Sequence, residues 1–476
     1  MDHSRYQSPF SVRYATKEMQ AVFSDDFKFR TWRRLWLALA RAEQRQGLPV
    51  TDAQLAELAA HLDDVNYAEA EAREKECRHD VMAHLHAYGL QCPAARGILH
   101  WGATSCYVGD NTDVIQMRTA LGIVHRKILG VIARLADFAA RWKSLPALAY
   151  THLQPAQLTT VGKRATLWLN DFVLDLEEVA RRRDALALLG SKGTTGTQAS
   201  FLELFGGDGA KIDAMEADIA REMGFDKVVP VSGQTYTRKV DYLVLTALSS
   251  LAQSAAKFAC DMRILASNKE MEEPFETKQV GSSAMPYKRN PMRSERIDAI
   301  ARFLCCDVLN AAWTASTQMF ERTLDDSANR RIAVAEAFLA ADGILNLLLD
   351  VTAGLVVYPE VIRKRVMAEL PFMATENVLM DAVARGGDRQ ALHEKLRVHA
   401  QAAAKRVKEE GAENDLLDRI ASDPAFGVDR DRLAAVLAPE NYTGRAAEQT
   451  EKYLAETVRP LLAANPAADE SAELAV

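Results

Sequence analysis

Between Thr235 and Glu273 the chain reads TYTRKVDYLVLTALSSLAQSAAKFACDMRILASNKEMEE, 39 residues with neither glycine nor proline. Nothing in this stretch breaks a helix, and a helix over its whole length would span roughly 58 Å at 1.5 Å per residue. Its frequent Ala and Ser let neighbouring axes approach closely, as in a bundle of long helices. Met292 to Tyr358 is again free of proline, so a second long helical region returns alongside. Upstream, Trp32, Leu35, Trp36 and Leu39 fall at i, i+3, i+4 and i+7, and Gly47 followed by Pro49 supplies a stop. Asp110 and Asn111 are each a good N-cap for the periodic segment that runs to about Trp142. After Thr160, Leu169, Phe172, Leu176 and Val179 repeat at helical spacing. No strand pattern is strong enough to support a sheet. The expected fold is all-α: an N-terminal helical domain over 1–108, a central long-helix bundle over 109–358 and a C-terminal helical domain over 359–476. Long helices bury their remaining apolar stripe against other subunits, so a homo-oligomer is expected.

Size and composition agree with this. A chain of 476 residues with 48% hydrophobic and 26% charged content can bury a large core. Its net charge of -7 argues against a nucleic-acid-binding surface. The polar start Met1-Asp2-His3-Ser4-Arg5-Tyr6 and the lack of a continuous 18-residue apolar run predict no signal peptide, no membrane span and a cytoplasmic location. Cys77, Cys92, Cys106, Cys260, Cys305 and Cys306 show no Cys-x-x-Cys spacing and read as reduced thiols.

Four segments carry polar groups that a bundle core does not need. Gly281-Ser282-Ser283-Ala284-Met285-Pro286-Tyr287-Lys288-Arg289-Asn290-Pro291 packs hydroxyls, a lysine and an amide between residues that forbid regular structure, so it reads as a functional loop rather than a solvated connection. Arg78 to His86 holds His79, His84 and His86. Their spacing fits a metal poorly, because His84 sits about 140° round the helix from His79. His84 and His86 read as structural, whereas His79, between Arg78 and Asp80, is the better active-site candidate. His152 lies among Thr151, Gln154 and Gln157 just before a helix, and an imidazole there can deliver a proton to a leaving group. Glu321 to Arg331 places Arg322, Arg330 and Arg331 with Ser327, forks that suit phosphate or carboxylate, against a bland reading of ion pairs to Asp325 and Asp326. Lys192-Gly193-Thr194-Thr195-Gly196-Thr197 lacks the spacing of a P-loop, so nucleotide-triphosphate hydrolysis is unsupported.

The Ser282 loop resembles the signature of the fumarase and aspartase superfamily, in which a serine after glycine is followed by Met-Pro, a lysine and an asparagine. More narrowly, Arg78 to His86, Gly102 to Ser105, Thr151 to Arg164, Gly233 to Lys239, Gly281 to Glu295 and Glu321 to Arg331 are similar to the animal-type adenylosuccinate lyases, over nearly the whole chain. The resemblance implies anti β-elimination of fumarate from adenylosuccinate and from the succinylated aminoimidazole carboxamide ribotide of purine synthesis, without metal or cofactor. It implies Ser282 as base and His152 as acid, with Lys288 and loop amides steadying the serine alkoxide. It places Thr104, Ser105, Gln234, Lys288 and Asn290 around the succinyl carboxylates, with His79 nearby, and counts Arg78 and Asp80 among the substrate-binding residues. Arg13, Tyr14, Arg322, Ser327 and Arg331 match phosphate-holding positions, and Arg296 another substrate contact. It also implies a homotetramer with a twenty-helix core and active sites shared between subunits, with no nucleic-acid or membrane partner.

The nearest rivals are a sister lyase acting on fumarate or argininosuccinate, and an inactive relative that keeps the scaffold as a structural protein. The arginines from Arg322 to Arg331 count against the first, whose substrates carry no phosphate. Intact Ser282, His152, Lys288 and Asn290 count against the second.

Overall fold

The structure, a computed structural model, describes residues 4–276, 278–281, 283–465 and 472. Five long helices form the bundle: the first Ser105–Trp142, the second Val161–Ala185, the third Lys239–Ser267, the fourth Met292–Thr317 and the fifth Asp325–Ala353. The first packs on the second and fifth, and the third lies against the second, fourth and fifth. Leu245, Leu248, Leu251, Phe258 and Met262 of the third helix are buried in this contact, as are Phe338, Ile344, Leu345 and Leu348 of the fifth. Fully burying such a side chain contributes roughly 1.5–3 kcal/mol, so the bundle is the dominant source of stability.

The third helix is shorter than its sequence allows, 29 residues or about 43 Å. At its start, Tyr236 and Arg238 are buried in a polar network that holds 235–238 out of the helix. At its end, Lys269 turns the chain with φ +60°. The region from Met292 to Tyr358 likewise splits in two around Phe320, at φ +50°. Both the third and fifth helices contain 18-residue windows of mean hydropathy 1.3 and 1.8, long and apolar enough to cross a membrane by length and composition. These windows are core, 56% and 83% buried in the bundle.

Two sequence expectations need correction. The first bundle helix starts at Ser105, not at Asp110 or Asn111. Those two residues are inside the helix and their side chains serve tertiary partners: Asp110 binds Arg238, while Asn111 donates to the Gly190 carbonyl at 2.9 Å and accepts from its amide at 3.1 Å. Strands are also present. Pro146–Thr151 and Gln154–Thr160 pair antiparallel, and Met271–Glu272 pairs with Val356–Val357. The first pair is a hairpin whose two-residue turn is His152-Leu153, with φ +56° and +59°, the left-handed geometry that matches strand twist. Thr160 then caps the second bundle helix by accepting from the Lys163 amide at 3.1 Å.

The N-terminal helix Asp25–Arg45 begins at Ser24, whose hydroxyl accepts from the Phe27 amide, and buries Trp32, Leu35, Trp36 and Leu39 on the main core. Beyond Pro359, Val378, Leu392, Leu416, Phe426 and Leu433 build a small second core of their own.

Candidate active site

A cleft of about 660 Å³ opens where the N-terminal helices meet the first and fifth bundle helices. Arg78, His79 and Asp80 reach it from one segment, Ser105 from the start of the first bundle helix, and Arg322, Ser327 and Arg331 from the start of the fifth. Helix starts suit this role, because their free amides and positive dipole end favour anions.

His79 is not within a helix, as the angle read between it and His84 assumed, but is the N-cap of Asp80–Gln91. Its Nδ1 accepts from the Met82 amide at 3.4 Å, which leaves the Nε2 proton free to donate. Arg78 holds φ +55° just before it. Asp80 lies 3.4 Å from Arg331, a link between the two sides of the cleft that solvent weakens, since Arg331 is 68% exposed.

The three arginines of the 321–331 run have separate fates. Arg330 lines the cleft half-buried but is spent on structure: it donates to Asp241 at 2.6 Å, Asp113 at 2.8 Å and the Tyr236 hydroxyl at 2.5 Å. Arg322 donates to both oxygens of buried Asp326, at 2.9 and 3.1 Å, while Asp326 also accepts from Arg238 at 2.6 Å. Arg238 in turn makes a two-pronged contact with Asp110, at 2.9 and 3.2 Å. Burial disfavours the Arg238 charge most, but Asp110, Tyr236 and Asp241 together outweigh it and hold the guanidinium above its ordinary range. Arg238 thus forms a rigid cationic floor that braces Arg322. Arg331 alone of the three stands largely in solvent at the mouth.

The remaining candidates lie outside the lining of the cleft. Thr104 is the N-cap residue of the first bundle helix and its side chain makes no capping bond. Gln234 adjoins the cleft: its amide donates to the Glu321 carbonyl at 3.0 Å and its Oε1 lies 3.6 Å from the Cys106 thiol. Burial pushes that thiol up to about 12, with Asp110 adding to the effect. Tyr14, in the turn Phe10–Tyr14, packs on Gly343, twelve residues or about 18 Å along the fifth helix from Arg331, and Arg13 beside it is exposed. Arg296 sits on the first turns of the fourth bundle helix. His152 is exposed at the hairpin tip, not directly before a helix. Lys288 is exposed on the 274–291 loop, and Asn290 donates to the Gly281 carbonyl at 2.7 Å, closing that loop on itself. Ser282 lies outside the described residues. One subunit therefore gathers Arg78, His79, Asp80, Ser105, Arg322, Ser327 and Arg331, but carries His152 and the Lys288 loop on separate projections.

The other histidines divide as their surroundings dictate. His84 stacks on Phe29 with ring centroids 3.7 Å apart, and burial lowers it to about 4. His86 faces Glu69 at 3.3 Å. Sequence reasoning passed over His100, which accepts from the Trp36 indole at 2.9 Å and is lowered to about 4 by burial and then by His79. It also missed Lys28 in the cleft wall, 5.0 Å from the rings of Phe29 and Trp32. Neither residue stands in a polar run, so no local signal marked them. Lys192 of the glycine-rich segment is buried against Glu216 at 2.7 Å and serves no anion nest.

The chain matches known proteins throughout its length. A family described as Lyase matches residues 14–306, and one described as Adenylosuccinate lyase C-terminus matches residues 371–453. Adenylosuccinate lyase of Saccharomyces cerevisiae is 52% identical over 464 residues, 97% of this chain and 96% of its own. That of Schizosaccharomyces pombe is 50% identical over 465 residues, with the same shares. Among solved structures, 3-carboxy-cis,cis-muconate lactonizing enzyme from Pseudomonas putida shares the fold with a TM-score of 0.82 at 22% identity, over 95% of this chain and 99% of its own.

Proposed function

The chain belongs to the adenylosuccinate lyase family of the fumarase and aspartase superfamily, and from that premise we infer that its cleft binds adenylosuccinate and the succinylated aminoimidazole carboxamide ribotide and releases fumarate from each. The observation that carries this reading is the meeting of Arg78, His79, Asp80 and Ser105 with Arg322, Ser327 and Arg331 in one cleft. Such a site offers paired forks to a phosphate at one end and hydroxyl and imidazole donors to carboxylates at the other.

In the proposed mechanism Ser282, as an alkoxide, removes the proton from the succinyl carbon next to a carboxylate. The resulting negative charge spreads onto that carboxylate, where fixed donors stabilise it as it develops. Thr104, Ser105, Gln234, Lys288 and Asn290 supply those donors. The carbon–nitrogen bond then breaks and His152 protonates the departing nitrogen, which yields fumarate and AMP, or fumarate and the aminoimidazole carboxamide ribotide. Arg322, Ser327 and Arg331 hold the phosphate, Arg13 and Tyr14 reach it from a neighbouring subunit since in their own they stand about 18 Å from Arg331, and Arg296 adds a further contact.

The separation of His152 and Lys288 from the cleft supports a homotetramer in which each site is completed by neighbouring subunits. Five long helices per chain would give a twenty-helix core. The exposed apolar side chains of Leu309, Trp313 and Phe320 support such burial. A cytoplasmic enzyme of purine synthesis is the reading that fits this activity. The proposed division into 1–108, 109–358 and 359–476 draws support from a separate small core over 378–433, although Ile362, Val366, Leu370, Leu454 and Val458 of the last part belong to the main core and the Ser105–Trp142 helix crosses the first boundary.

The test is direct. Purified protein is given adenylosuccinate, and the nucleotide absorbance change is followed with and without a chelator. Conversion to AMP in both conditions is expected, and an inert protein would overturn the reading.

A further inference from the structure

The hairpin that carries His152 has an irregular ladder near its tip. Its register slips between Ala149 and Tyr150, and Tyr150 faces Pro155, which has no amide to donate. The turn beyond is two non-glycine residues in the left-handed region. Such a tip takes its aim from side-chain anchors rather than from strand pairing.

Arg365 provides one. It lies on the helix Pro359–Met373, which packs against both strands of the hairpin, and its Nη2 donates to the Tyr150 hydroxyl at 3.3 Å. Its Nε stands 2.8 Å from Glu270 Oε1, close but without the alignment of a directed hydrogen bond. Glu270 is 1% exposed, and its carboxylate oxygens accept no directed hydrogen bond among the described residues. Arg365 is therefore the countercharge of a buried anion, which fixes the guanidinium in place. Glu270 leads directly into the Met271–Glu272 strand, and three residues on, Glu273 fastens the base of the 274–291 loop.

We propose that Arg365 is a positioning residue that ties the His152 hairpin to the root of the 274–291 loop and so sets where the imidazole stands. This deepens the lyase reading above and rests on His152 as its acid. It also links, within one subunit, the two projections that the cleft lacks.

The test is a double-mutant cycle with kcat and KM read separately. Arg365→Met should lower kcat about tenfold with KM within about twofold, as expected of a small misplacement of a catalytic group. In a His152→Ala background the same substitution should change kcat by less than about twofold, because the group it positions is gone. Tyr150→Phe leaves the Glu270 pair intact and should lower kcat about threefold without changing Tm, which keeps the test open if Arg365→Met folds poorly. An equal loss in both backgrounds, or full activity in Tyr150→Phe, would overturn the proposal. Hydrogen exchange gives an answer independent of turnover: in Arg365→Met, amides of 148–158 and of 274–281 should exchange faster together, and faster exchange in only one segment or in neither would also overturn it. Wild-type protein inert toward adenylosuccinate would instead count against the lyase reading, leaving the exchange result to decide the positioning role.

Discussion

Glu273 and Ser294 meet across the base of the 274–291 loop: the carboxylate accepts from the Ser294 amide and hydroxyl, each at 3.0 Å, and from the Arg293 amide at 2.9 Å. The last residue before the loop is thus the cap of the helix that follows it. Arg293 reinforces the closure by pairing with Glu276 at 2.9 Å and Asp350 at 3.0 Å. Both ends of the loop are fixed to the bundle while Lys288 and its neighbours remain exposed, so any movement is confined to the span between these anchors. Glu273→Ala removes a buried acceptor of three bonds and should cost about 3 kcal/mol in chemical denaturation. Glu273→Gln, which keeps one acceptor, should recover part of that. Equal stability of wild type and Glu273→Ala would show that the cap does not hold.

Arg331 stands mainly in solvent, and its contact to Asp80 is screened. Arg331→Ala should therefore leave Tm within the error expected of a surface change of about 0.5 kcal/mol. As a proposed phosphate ligand, however, it should raise KM at least about tenfold with a much smaller change in kcat. Steady-state kinetics on adenylosuccinate decides this, and an unchanged KM would remove Arg331 from the site.

Glu43 is fully buried, its carboxylate oxygens find no partner among the described residues, and burial pushes it up to about 9 from an ordinary 4.5. Between those values the folded chain holds a proton that the unfolded chain has lost, so stability falls as pH rises from about 4.5 to about 9. At pH 7 the loss is about 3 kcal/mol at 1.36 kcal/mol per unit. Glu43→Gln should flatten this slope in a series of melts across that pH range. A wild type with the same slope as the variant would show that Glu43 is not the group responsible.

His152 and Ser282 are expected to reach one site from different subunits. His152→Gln should lower kcat by about 10²–10⁴-fold, and with the side chain exposed it should leave Tm unchanged. Ser282→Ala should be similarly inactive. Mixed and reassembled, the two inactive proteins should regain part of the activity, because some sites then draw both groups from intact copies. No recovery after verified subunit exchange would argue for sites built within one chain.

The long helices were legible because their cause is local: stretches without breakers, small side chains and a repeating apolar stripe. The His152 hairpin was not, since Pro146–Thr151 and Gln154–Thr160 contain Pro, Ala and Gln and show no clear alternation. The helix start at Ser105 was missed because Asp110 and Asn111 have the chemistry of caps, and only their partners across the fold reveal another use. In the site, Arg78, His79, Asp80, Ser105, Arg322, Ser327 and Arg331 were marked by motif and do converge. Arg330 shows the limit of motif reading, for it lines the cleft with its companions in sequence yet its guanidinium is consumed by Asp241 and Asp113.

The Arg238 contacts bear on how the protein is made as well as on how it binds. Asp110, Arg238 and Asp326 come from three distant parts of the chain and meet at one buried guanidinium. Contacts of such sequence separation form only after their loops have closed. Arg322 is oriented by Asp326, so a chain emerging from synthesis has no fixed anion-binding arm until its fifth long helix has been made and docked. The anion-binding arm is therefore a property of the assembled bundle and not of the 321–331 segment taken alone.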